Sequence, residues 1–141
     1  MTKLNSKCKR FFEIPFAEKK LFCESVFFLF IAKTILLIFP FKFCTRFIKS
    51  KNCNNNTIDY ADLQLIKTAI ERANQLAFWK NVCLVQSMAV RWMLNRRRIS
   101  SKLILGVLND KNGKLIAHAW VKVCQFEITK KGLDYHELIT F

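Results

Sequence analysis

Three different spacings of apolar residues follow one another along the chain. Between Val26 and Phe39 nearly every position is apolar, with Lys33 near the middle and Lys19, Lys20, Lys42 and Arg46 on the flanks. Pro15 suits a helix start, where a missing N–H costs little, and Pro40 breaks the run, so two basic, hydrophobic helices meeting at Pro40 are predicted. The polar stretch KSKNCNNNT then reads as a linker. Beyond it, Leu63, Ile66, Ile70, Ala73 and Leu76 recur at three- and four-residue steps, which marks an amphipathic helix ending near Phe78. Thr57 is its expected N-cap, with Asp59 and Asp62 in the first turn at the positive end of the dipole.

A further helix is expected from about Val82 to Arg97, with Leu84, Met88, Trp92 and either Met93 or Leu94 turned inward and Arg96 to Arg98 at its negative end. The period then changes. KLILGVLN and LIAHAWVKV are β-rich and flank NDKNGK, which carries the residues of a hairpin turn. FEIT follows a tight connection at Cys124 and Gln125, and DYHELITF closes the sheet. The expected order is helices followed by an antiparallel meander. Residues 1–56 form an N-terminal helical region with its linker, and residues 57–141 form a compact α+β domain.

Fifty-two per cent of the chain is apolar, including 14 Phe. That excludes a disordered chain and leaves apolar surface for a partner or a membrane face. The run before Pro40 is shorter than the ~20 residues that cross a bilayer core, and Lys33 would cost about 2.5–3.5 kcal/mol at its centre. A helix buried against protein, or one in peripheral membrane contact, fits better than a spanning one.

Lys and Arg number 24 against 10 Asp and Glu, a net charge of +14 that attracts any polyanion. A nucleic-acid partner is disfavoured, because there is no zinc-finger spacing, RNP-like segment or GxxG clamp. Six Cys are scattered without a CxxC pair or a secretory leader, as in a reduced cytoplasmic protein, and two His are too few for a standard zinc site. Neither metal nor cofactor is expected.

Cys83 falls where the last predicted helix begins, a position whose unsatisfied N–H groups favour a thiolate. His118 lies on a predicted strand between Ala117 and Ala119, small neighbours that leave room for a substrate. Together they have the makings of a nucleophile and its general acid and base. Gln86, three residues beyond Cys83, lies on roughly the same helical face, within reach of an oxyanion or a bound peptide. Spacing alone equally allows a buried thiol and a packed imidazole.

The motifs themselves go further. CLVQSMAVRWMLNRRRISSKLILGV followed by AHAWVKV resembles the transglutaminase-like cysteine peptidases that remove leader peptides in lasso-peptide biosynthesis. The likeness rests on Cys83, Leu84, Ser87, Arg96 to Arg98, Gly106, Val107 and Ala117 to Val121, and extends to the proline-broken N-terminus and the terminal ELITF. It implies a papain/transglutaminase-like core in which a Cys-bearing helix packs on a small antiparallel sheet. It also implies cleavage of a ribosomally made precursor at its leader, with Cys83 as nucleophile and His118 as acid and base. The implied partners are the precursor's leader peptide, a small leader-recognition protein and an ATP-dependent macrolactam cyclase.

One position departs from the family. Where many members carry an acid about twelve residues after the histidine, this chain has Lys130. Glu127 belongs opposite Lys122, ~13 Å along the strand from the histidine, and Asp134 reaches back only through the KKGLD turn. Asp134, a backbone carbonyl or Gln86 is left to orient the ring. Two other readings remain: an inactive peptide-presenting module of the same fold, and a basic membrane-associated helical protein.

Overall fold

The computed structural model describes residues 15–48, 59–77, 82–132 and 134–141. Its elements are α1 (Phe16–Ile38), α2 (Phe41–Ile48), α3 (Tyr60–Leu76), α4 (Cys83–Arg96), β1 (Lys102–Asn109), β2 (Leu115–Val123), β3 (Phe126–Glu127) and β4 (His136–Thr140). The class is α+β, as the periods of the sequence indicated. Helices α1 and α2 meet at Pro40, and α1 begins directly after Pro15.

The apolar stripe of α3 behaves as its spacing predicts for Leu63, Ile66, Ile70 and Ala73, all buried, with Ala69 beside them. Two details differ. Leu76 is exposed, because the stripe leaves the core in the last turn. The cap is Asp59, whose Oδ1 accepts from the Ala61 N–H at 2.9 Å; Thr57, the expected cap, lies outside the described residues. In α4, Met88, Met93 and Leu94 are buried, whereas Leu84 and Trp92 are only partly so. Val85, Ala89 and Val90 complete a helix enclosed on most sides.

The four strands lie in the order β3-β2-β1-β4. The first three form the expected meander, but β4 crosses back to the other edge of β1 rather than extending the sheet beyond β3. A two-residue β3 offers little edge to pair with. The full length of β1 offers more, and β4 takes it with a register shift between Leu105 and Gly106. The β1–β2 turn falls on NDKNGK, where Gly113 has φ of +74° and its N–H meets the Asp110 carbonyl at 2.8 Å.

One apolar core joins α1, α3, α4 and the sheet, with Leu29 and Ala32 of α1 buried alongside Met88, Leu103 and Val121. The helix on the near side of the polar linker therefore shares its core with the domain on the far side. Its attachment is also ionic. Glu24, with its side chain 6% exposed, receives Arg97 at 2.9 and 2.6 Å in a two-pronged pair, with Arg96 at 3.6 Å.

Candidate active site

Cys83 is the first residue of α4 and is partly buried. The helical hydrogen-bond ladder starts just before it, where the Val82 carbonyl accepts the N–H groups of Val85 and Gln86. Val82 contributes no capping side chain, so the first-turn donors, that of Cys83 included, point outward as they do at any helix start. Such donors suit a negative sulfur or a developing oxyanion.

Where α4 lies along β2 is fixed by Ser87, one turn beyond Cys83. Its Oγ donates to the Ala119 carbonyl at 3.0 Å and lies 3.5 Å from Thr129 Oγ1, which itself accepts from the Val121 N–H at 2.7 Å. One turn further on, Arg91 Nη1 donates to the carbonyls of Ser101 and Phe141, at 2.7 and 2.9 Å. Phe141 exchanges hydrogen bonds with Leu103, and Leu103 pairs with Val121. The helix thus advances along β2 from the Ala119 end toward Val121. Cys83, one turn or about 6 Å back, falls toward the half of the strand that carries His118.

The His118 imidazole is held on three sides. Its ring stacks on Trp120 at 6.0 Å between centroids and on Tyr135 at 5.0 Å, with interplanar angles of 19° and 26°. Its Nε2 lies 2.8 Å from the Lys130 carbonyl oxygen. A carbonyl only accepts, so in the neutral ring Nε2 carries the proton and Nδ1 keeps the lone pair. Strand alternation sets His118 and Trp120 on the opposite side of β2 from Val121 and Val123, which enter the core with α4. Among the described residues no hydrogen bond joins Cys83 to His118. The built link between their elements is the one from Ser87 to Ala119.

The orienting group is therefore the backbone of residue 130, the position at which the family pattern has its acid. Asp134 is exposed, and the Nε2 contact goes to Lys130 instead. Glu127 pairs with Lys122 in the β2–β3 register and its carboxylate lies 3.5 Å from the Lys131 N–H, consistent with the short hairpin through Cys124 and its φ of +53°. Gln86 is partly buried on α4, and among the described residues no hydrogen bond joins it to His118. No cluster of metal-ligating side chains occurs among the described residues.

The sequence reading missed Tyr135 altogether, and it took Gly106 as a motif residue without its packing role. Tyr135 is brought to the ring by the β1–β4 pairing, and Gly106 makes room for Trp120. Gly106 pairs opposite His118, and a Cβ there would come within 2.8 Å of Trp120 Cη2 and 2.9 Å of the His136 carbonyl oxygen. A glycine in mid-strand was the available signal.

A small antiparallel sheet carrying a clamped histidine, laid along a helix that starts with cysteine, is the architecture of a papain- or transglutaminase-like domain. The family comparison agrees: residues 40–138 match the model of the transglutaminase-like superfamily, and the chain belongs to that superfamily. Its members are in general cysteine peptidases and transglutaminases. Neither the curated proteins nor the solved structures gave a match.

Proposed function

We propose that the protein is a cysteine peptidase that cleaves the leader from a ribosomally made peptide of the lasso class. The observation that carries this reading is the Nε2–Lys130 hydrogen bond, which leaves the lone pair of His118 on Nδ1. The ring lies on the face of β2 turned away from α4, so the reaction requires Cys83, at the open first turn of the helix, to meet it around that strand.

Each residue then has a definite task. His118 Nδ1 takes the Cys83 proton, and the thiolate attacks the carbonyl carbon of the scissile bond. An S–C bond forms while the carbonyl π pair moves to oxygen, where first-turn N–H groups of α4 stabilise it. Collapse breaks the C–N bond, and the imidazolium gives its proton to the departing amine. Water, losing a proton to His118, then attacks the thioester; the C–S bond breaks, the leader leaves with its new carboxyl end, and the sulfur takes the proton back from the imidazolium. The precursor, a small leader-recognition protein and an ATP-dependent cyclase that closes the freed core complete the proposed setting, which is cytoplasmic.

Incubating purified protein with a precursor and its recognition partner tests the proposal. Wild type should release leader and core, and Cys83→Ala and His118→Ala should each abolish release. Full cleavage by either variant defeats the assignment. Leader binding without cleavage by wild type supports the inactive, peptide-presenting module instead.

A further inference from the structure

Helix α1 has two apolar faces, and the core uses only one. Ser25, Leu29 and Ala32 are buried against α3, α4 and the sheet. On the other side, Phe27 is 60% and Phe30 59% exposed; Leu37 and Ile38 continue that face, and beyond Pro40 Phe41 and Phe43 of α2 are exposed as well. Helix α1 is long and apolar enough to cross a membrane, with a mean hydropathy of 2.2 in its most apolar window, yet only 22% of that window is buried within the protein. Solvent is a poor home for such a ridge.

The charges around the ridge have one sign. Glu18 and Glu24 are the acidic residues of α1, and each is turned to a cation of another helix or its exit: Glu18 to Arg72 at 2.9 Å and Glu24 to Arg97. From Ser25 to Ile48 the sequence contains no acid, while Lys20, Lys42 and Arg46 are exposed. The exposed apolar residues run across the helix break at Pro40. A protein partner would need an acidic groove shaped to both helices, whereas a bilayer surface needs no matching shape.

We propose that this face of α1 and α2 docks on an anionic lipid surface, with the phenylalanine rings in the headgroup boundary and the flanking cations on lipid phosphates. The helix lies on the surface and does not span it. Its inner face stays in the core, where the Glu24–Arg97 pair and the Ser25–Met93 contact hold it, and crossing would require breaking both.

Co-sedimentation of the full chain with vesicles tests this. Vesicles of phosphatidylcholine with phosphatidylglycerol should bind about a hundredfold more tightly than phosphatidylcholine alone, and high salt should remove that advantage. Phe27→Ser with Phe30→Ser should weaken binding about a hundredfold. Near-ultraviolet circular dichroism should report an intact fold, and Phe43→Ser on α2 gives a second reading should the double variant unfold. Four results each overturn the proposal: no binding to either vesicle, equal binding to both, binding indifferent to the serine substitutions, or salt-insensitive, carbonate-resistant sedimentation, which would indicate spanning. Self-association abolished by the same substitutions without vesicle binding would instead make the ridge a protein interface.

Discussion

His118 Nε2 and the Lys130 carbonyl oxygen stand 2.8 Å apart, so the group that fixes this imidazole belongs to the peptide backbone and not to an acidic side chain. The position twelve residues after the histidine meets the ring through its backbone, although its side chain is a lysine.

Side-chain identity at residue 130 should therefore matter little. Lys130→Ala and Asp134→Asn should each leave kcat for precursor cleavage within about threefold of wild type, since misorienting such a ring costs as much as ~10⁴. A loss near a thousandfold on Asp134→Asn would return the orienting role to an acid. Nitrogen-15 shifts of the His118 ring, recorded with the imidazole neutral, should show the proton on Nε2 and provide a check that needs no turnover.

Gly106→Ala should disturb the site without touching a reacting group. The added methyl meets Trp120 and the His136 carbonyl, and overpacking of this kind costs about 1–3 kcal/mol. Urea denaturation should register that loss. Near-ultraviolet circular dichroism should change as Trp120 shifts from its stack on His118, and kcat should fall with little change in KM. An unchanged spectrum together with full activity would show that the clearance is not needed.

Glu24→Ala should loosen α1. Removing one partner of a buried ion pair costs about 3–5 kcal/mol, and because the Arg97 side chain retains 28% exposure, about 2 kcal/mol is expected here. Urea midpoints measure the effect. Pairing Glu24→Leu with Arg97→Met should recover most of it, because the only charge then left without Glu24 is that of Arg96, which is solvent-exposed.

Thiol reactivity should rank by burial. Desolvation pushes the Cys44 thiol above its ordinary pKa, outweighing a hydrogen bond with its own backbone that acts the other way. A raised thiol holds less thiolate at any given pH, so Cys44 should alkylate more slowly than the exposed Cys23 and Cys124 and gain on them as pH rises. Mass spectrometry of peptides after brief iodoacetamide treatment reads the order. Early labelling of Cys44 in folded protein would contradict its burial.

Local spacing carried much of the architecture. The α3 stripe, the helix opening at Cys83, the NDKNGK turn and the tight reversal at Cys124 each depend on residues close in sequence, where period and turn chemistry act directly. Pairing of Glu127 with Lys122 also followed, since a short hairpin leaves one register. The path of β4 did not follow, because which edge a final strand takes depends on how much backbone each edge offers.

The sequence by itself determined most of the elements and the superfamily motifs, because these depend on residue type and short-range order, and it put forward Cys83 and His118 as candidates. Only the tertiary structure decided that a carbonyl orients His118, that Tyr135 and Gly106 shape its surroundings, and that α1 buries one apolar face while leaving the other bare. Those outcomes come from segments far apart in the chain meeting in space: a backbone oxygen has no residue signature, and an all-round apolar helix does not declare which side its neighbours will cover.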